Sequence, residues 1–413
     1  MDLTGITHRD ELFEIACRWL GDRPRPDDGR RVTAIFVLDA LITAPVVRAF
    51  LARTIASFEP GVTHWHRFRT KDALRHALVE ICPADDGRTR ELFRAFAERP
   101  EEFFPGTPVE LLMATRADGL PVGMFRIKRI KRIAEKASRR LADRLAGEIR
   151  RAAEQIASER ATRVGLPLSQ LVSPPEAMIA DFVRAEQRVA RAIHAGSLVP
   201  ERDRLRIDDV LGVKLIGSWE DLERAERAIL ADPAATVVAR EEHRGTYNDV
   251  NLVVELPLPS PAEIVASRRG FAWTLLAGHG LLPDELARVF PGYVEAGART
   301  IRCEVILTTL SELIESEFGR SIHEERILEQ RLGAAYSGPI AQNAAFLIEY
   351  LLTLAVAPTV TVDELPVKLW GRYLPERYSR AMWDLFCVAP APECLGAFLG
   401  ENEPPDEEGG ANF

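Results

Sequence analysis

The stretch Ile301–His323, IRCEVILTTLSELIESEFGRSIH, constrains the fold more than any other part of the chain. From Thr300 to Leu307 it is a β-branched, apolar run of strand length. Glu304 stands inside that run, where a carboxylate is costly unless it is paired or binds a metal. The run then gives way to a helix, because Leu310, Leu313, Ile314 and Phe318 recur at helical spacing. Glu317 and His323 follow on this helix or just past its stop at Gly319. A strand bearing one acid that feeds a helix bearing a second acid and a histidine suits a metal and phosphate site. An ordinary amphipathic strand–helix pair with an incidental Glu has the same pattern.

A second unit of the same kind lies upstream in RIDDVLGVKLIG, Arg206–Gly217. Two carboxylates lead into a short buried strand, Val213–Ile216, and Ser218 then caps a helix with acids in its first turn. Thr236–Arg240 and Asn251–Leu256 read as two more strands, joined by REEHRGTYNDVN. Helices are expected over Pro261–Ala277 and Pro283–Phe290, between those strands and the Glu304 strand. Strong basic character marks Phe125 to about Ala161, a single long helix pattern with Ile127, Ile130, Ile133 and Ala134 on one face. Its Arg and Lys side chains form either a solvated face or a grip on phosphate.

The first 120 residues read as mostly helical, with apolar spacing over Asp10–Leu20, Val32–Phe58, Thr70–Ile81 and Thr89–Ala97. Glu176–Ala195, Glu324–Ala335 and Pro339–Leu354 are further helices, and Gly165–Pro175 is a loop. The aromatic segment LWGRYLPERYSRAMWDLF reads as core, and the tail ENEPPDEEGGANF, residues 401–413, as disordered. The expected class is α+β: a small mixed sheet flanked by helices, with a helical N-terminal region and a helical C-terminal extension. In domain terms this means 1–120, a core over 121–330 with inserted helices at about 140–200 and 259–299, an extension over 331–400, and the tail.

Net charge of −9 excludes a surface that is basic throughout, so any nucleic-acid contact must be local. Five scattered cysteines with no CxxC pair argue against a disulfide framework or a zinc ribbon. The reducing cytoplasm is the simplest compartment. The charged N-terminus lacks the apolar centre of a signal peptide. The most apolar segment, Ala344–Val360, contains Glu349 and Pro358 and reads as a buried helix, so no membrane partner is expected.

These units, in this order, resemble RelA/SpoT-type alarmone synthetases. That family reads E-I-Q-I-R-T, then a helix with A-E-x-G and a His four residues beyond the Gly. Glu304, Thr309, Glu317, Gly319 and His323 fall on its Glu, Thr, Glu, Gly and His without a gap, while Ile306 and Thr308 replace its Gln and Arg. Asp209, Gly212 and Lys214 fall on the family's D-[LIV]-x-G-[IV]-R-[LIV] motif. Tyr247 falls on the Tyr of K-x-N-G-Y-x-S-x-H, with His243 at the Lys and Asn251 at the His. Arg126, Lys128 and Lys136 fit the R-x-K element and its following Lys. A rival placement of that element is Arg184–Arg191, in VRAEQRVARAI.

The resemblance implies a nucleotidyltransferase-like core that moves the pyrophosphate of ATP to a nucleotide 3′-hydroxyl. The acceptor is GTP or GDP in most of the family and the 3′ end of tRNA in a toxic branch. A catalytically degenerate nucleotide-binding module is the other outcome. By the same resemblance, Asp209 and Glu304 hold Mg²⁺, and Glu304 takes the proton of the attacking hydroxyl. Arg126, Lys128, Lys136 and Lys214 hold phosphates, Tyr247 stacks on the acceptor base, and Arg240, His243, Arg244, Asn251, Glu317 and His323 complete the nucleotide site. The histidines of the first 120 residues include no adjacent His-Asp pair, so the hydrolase half of the long family members is not expected. Self-association of identical chains is left open.

Overall fold

The computed structural model describes residues 1–61, 64–245, 248–319, 338–356 and 361–371. Tyr247, His323, the helix expected over Glu324–Ala335, most of the aromatic segment and the acidic tail lie outside the described residues. The strands are β1 Asp2–Leu3, β2 His64–Thr70, β3 Pro108–Thr115, β4 Pro121–Ile127, β5 Arg206–Ile207, β6 Leu211–Ile216, β7 Thr236–His243, β8 Asp249–Pro257 and β9 Thr300–Thr308. The helices are α1 Arg9–Leu20, α2 Asp28–Ala56, α3 Lys71–Ile81, α4 Gly87–Glu98, α5 Ile130–Arg163, α6 Pro175–His194, α7 Trp219–Ala231, α8 Pro261–Ala266, α9 Pro283–Ala296, α10 Leu310–Phe318 and α11 Pro339–Thr353. Ser218 caps α7 in a reciprocal box: its Oγ accepts from Asp221 N at 3.2 Å, and its own N donates to Asp221 Oδ2 at 3.1 Å.

Three expectations are corrected here. The first 120 residues are not wholly helical, because β2 and β3 lie within them. The helix read from Phe125 begins only at Ile130, since Phe125–Ile127 end a strand paired with β6. Close approach of α2 explains Gly123 in that strand: a Cβ there would lie 2.7 Å from Ile55 Cδ1. Third, the helix expected over Pro261–Ala277 stops at Ala266, and the chain turns through Gly270 at φ +77° before a 3₁₀ segment, Trp273–His279.

Seven strands form one sheet in the order β2-β3-β4-β6-β9-β8-β7. Every neighbouring pair is antiparallel except β6 and β9, which run parallel with Gly212 opposite Glu304. Side chains alternate across the pleat, so the faces differ in kind. One face presents Phe125, Val213, Leu215, Val305, Leu307, Leu252 and Val254 to α2 and α7, where all are buried. Burying each such side chain contributes about 2–3 kcal/mol, so this face fixes the register. The other face carries Arg126, Gly212, Lys214, Glu304 and Asn251, and α3, α4 and α10 cover part of it through Leu74, Phe93, Phe96, Leu313 and Phe318.

Around the sheet, α1, α5, α6 and α11 form a helical layer with its own apolar core. By length and composition α2 and α11 could each cross a membrane. Here α2 packs on the sheet and α11 on α5. The N-terminal segment is a strap. Thr4 Oγ1 donates to Asp208 Oδ1 at 2.8 Å, and Arg302 N donates to Thr4 O at 2.9 Å. Asp39 of α2, fully buried, accepts from Thr7 N (2.8 Å), His8 N (3.0 Å) and Tyr293 Oη of α9 (2.9 Å).

Candidate functional site

The parallel pair β6–β9 sets the centre of the site. Arg126, Gly212 and Glu304 stand in one row across three strands, on the polar face. Gly212 leaves the space that Arg126 crosses, since a Cβ there would lie 3.1 Å from Arg126 Nε. The guanidinium thereby reaches Glu304, with Arg126 Nη2 at 3.7 Å from Oε2. Asn251 Nδ2 of β8 donates to Glu304 Oε1 at 3.1 Å.

Asp209 sits on the loop entering β6. Lys128, just past β4, donates to its Oδ2, and Lys136 Nζ donates to the same oxygen at 2.8 Å. The chain is arranged for this: Lys128 N bonds Val210 O at 2.8 Å, and α5 starts at Ile130, placing Lys136 in its second turn. Burial works to raise the Asp209 carboxyl, but Lys128 and Lys136 outweigh it and hold it down at about 2. Lys128 feels the charges of both Asp209 and Glu304, so the two carboxylates share one neighbourhood. By contrast, Arg184 and Arg188 of the rival placement face Asp181 and Glu159 on the helical layer.

A third group lies under α10. Glu317 Oε2 accepts from Lys71 Nζ at 3.1 Å, and Arg75 Nε donates to Glu317 O at 2.8 Å. Burial raises the Glu317 carboxyl, but Lys71 and Lys214 bring it down to about 2. Lys214 Nζ donates to Ser316 Oγ at 3.0 Å, and burial lowers it to about 8. Lys71 and Arg75 come from α3 and were not singled out in the sequence. Nothing local to α3 marks them, because their partner is distant along the chain.

Arg240, His243 and Arg244 do not join this cluster. They line a cavity of about 670 Å³ between α7, the β7–β8 turn and the start of α10. Each is already matched: Arg240 Nε to Glu226 Oε1 at 2.7 Å, Arg244 Nε to Glu242 Oε1 at 2.7 Å, and His243 Nδ1 to Asp249 Oδ1 at 2.6 Å. Glu223 and Glu312 add further acid, and Trp219, 46% exposed, supplies an aromatic wall that the sequence reading passed over. Glu312 and Ser316 are one turn apart on α10, so the cavity and the Lys214 cluster lie about 5–6 Å apart along one helix stripe.

Asp209 and Glu304 could supply at most two ligands to one hard cation. Among the described residues no three His, Cys, Asp or Glu side chains converge. Magnesium beside phosphates takes only one or two carboxylates, with waters and phosphate oxygens completing its shell. Asp209 Oδ1 is buried and has no hydrogen-bond partner, which is the kind of acceptor such an ion uses.

No family model matches the chain, and no curated protein matches it. Among solved structures it is similar to small alarmone synthetase 2 from Bacillus subtilis, at 13% identity and a TM-score of 0.17, over 36% of this chain. That alignment spans 62% of the synthetase, short of two thirds of its length. It is similar to small alarmone synthetase 1 from Bacillus subtilis at 13% identity and a TM-score of 0.20, over 45% of this chain and 71% of that one. It is also similar to a GTP pyrophosphokinase family protein from Streptococcus pneumoniae, at 13% identity and a TM-score of 0.19, over 52% of this chain and 86% of that one.

Proposed function

We propose that the protein is a magnesium-dependent pyrophosphotransferase that moves the pyrophosphate of ATP to the 3′-hydroxyl of a nucleotide, GTP or GDP giving (p)ppGpp. One observation carries this reading. Asp209 and Glu304 stand at neighbouring parallel strands within one group of cations: Arg126, Lys128 and Lys136. Three cations against two carboxylates leave a positive excess that suits a polyphosphate.

In this reading the ATP phosphates take over the ammonium groups of Lys128 and Lys136 that Asp209 now holds, and Arg126 steadies them from the sheet. Asp209 and Glu304 are then free to hold Mg²⁺, which when bound neutralises charge on the phosphate oxygens. The acceptor 3′-oxygen attacks the β-phosphorus, the bond from that phosphorus to the AMP oxygen breaks, and Glu304 accepts the hydroxyl proton. Asn251 fixes the Glu304 carboxylate for that role through the bond at 3.1 Å.

A second reading is transfer to the 3′ end of tRNA, whose terminal nucleotide bears no triphosphate. Arg240, His243 and Arg244 are spent on carboxylates in the cavity, which leaves little positive charge for a free triphosphate. The test is incubation with ATP labelled at the γ-phosphate plus GTP, GDP or deacylated tRNA. Label should enter one acceptor, and Asp209→Ala or Glu304→Ala should abolish the transfer. Equal transfer by wild type and both variants ends the proposal.

A further inference from the structure

Positive charge is also in excess under α10, on the side away from Asp209. Lys71, Arg75 and Lys214 stand around Glu317, which is 10% exposed, and Lys214 also feels Glu304 and Arg126 of the neighbouring row. Arg75 is committed, since it donates to Glu317 O at 2.8 Å and to Phe103 O at 2.6 Å. Among the described residues Lys214 reaches only a hydroxyl, Ser316 Oγ at 3.0 Å. A part-buried ammonium with no carboxylate of its own is short of an anion. Burial accordingly lowers Lys214 to about 8. Lys71 holds Glu317 from the first turn of α3, with its backbone N on Thr107 O at 2.9 Å, and its side chain is one-third exposed.

We propose that Lys71 and Lys214 form a separate phosphate subsite, which takes a phosphoryl group of a nucleoside polyphosphate, with Glu317 holding Lys71 in place until the phosphate arrives. The nucleotide part of this statement rests on the proposed function, and the anion part does not. The layer made by β2, α3 and α4 then supplies one wall of the cleft. A free nucleoside polyphosphate gains this contact and a bare nucleoside does not.

The test is calorimetry with inorganic tripolyphosphate, ATP, GTP, adenosine and guanosine, on the full chain and on Lys71→Met and Lys71→Arg. Lys71→Met should weaken tripolyphosphate about tenfold, the scale of one charge-assisted hydrogen bond. Nucleoside binding should be unchanged, and Lys71→Arg should restore most of the loss. A loss for ATP alone assigns the subsite to the donor, and a loss for GTP alone assigns it to the acceptor. Unchanged tripolyphosphate and triphosphate binding in Lys71→Met, with a urea midpoint near wild type, overturns the subsite. Where tripolyphosphate binds in a Lys71-dependent way but no nucleotide binds or turns over, the subsite stands and the pyrophosphotransferase reading falls. Should Lys71→Met not fold, Glu317→Gln decides. Freeing Lys71 should tighten tripolyphosphate several-fold, and unchanged or weaker binding overturns the proposal.

Discussion

Replacing Asp209 with Asn keeps the shape of the side chain and removes the charge that Lys128 and Lys136 share. In the fold that carboxyl titrates at about 2, against 3.8 in an open chain. A gap of this size corresponds to about 2 kcal/mol of stabilisation at neutral pH. The folded value lies below the unfolded one, so the contribution is complete above the unfolded value and is lost as pH falls through the folded one. Asp209→Asn should therefore cost about 2 kcal/mol at pH 7, nearly as much at pH 5, and about half as much at pH 3. The assay is urea unfolding followed by tryptophan fluorescence at fixed pH, with an unchanged slope as the sign that only stability moved. A double-mutant cycle with Lys128→Met isolates the pair, and Lys128→Met should cost much less once Asp209 is already Asn. A loss below about 0.5 kcal/mol at pH 7, or one just as large at pH 3, would refute the claim that Asp209 contributes its charge.

The remaining predictions follow from the same cluster and its supports. Lys214→Met should stabilise the protein by about 1–3 kcal/mol at pH 7, because burial penalises the charged form. The Lys214 value falls to about 8 in the fold from 10.5, so the gain should fade as pH rises from 8 to above 10, and destabilisation at pH 7 would contradict this. Under the proposed function, Gly212→Ala should raise the KM for ATP several-fold while costing about 1 kcal/mol or less, since its Cβ displaces the flexible Arg126 head group rather than backbone. Steady-state kinetics beside urea melts separates the two effects. Phe318→Ala should cost about 3–5 kcal/mol in urea melts, because that ring is 2% exposed and meets Phe93, Phe96 and Phe103 edge-on. Asp39→Ala should cost about 3 kcal/mol or more by the same measurement, as it strands the buried donors of Thr7, His8 and Tyr293.

The elements nearest the site were legible in the sequence. The β9 run is β-branched and ends where Thr309 begins a helix, and β6 ends at a Gly-Ser pair that caps α7. These signals are local, so one sequence suffices to read them. The strands β2, β3 and β4 were not read as strands. His64–Thr70 sets Trp65 and Phe68 three apart among His and Arg, off a strand's period of two, and stays largely solvent-facing at the sheet edge, and Gly123 and Pro121 interrupt the β4 pattern. The sequence pattern places the start of α5 too early because Arg126 and Lys128 continue its basic character while belonging to strand and loop. Asp209, Glu304 and the cations beside them lie in short motifs that can be read locally. Lys71, Arg75 and Trp219 do not, since their roles arise only from packing between distant segments.

The parallel pairing of β6 with β9 also governs when the centre can exist. Between those strands the ribosome must first deliver α7, β7, β8, α8 and α9, so a nascent chain stopped short of Glu304 lacks the strand that pairs with β6. Glu317, which gathers the α3 cations, emerges later still. Loop closure of this span makes assembly of the cleft a late event in synthesis. A truncated product therefore contains Asp209 and its lysines without Glu304 opposite Gly212.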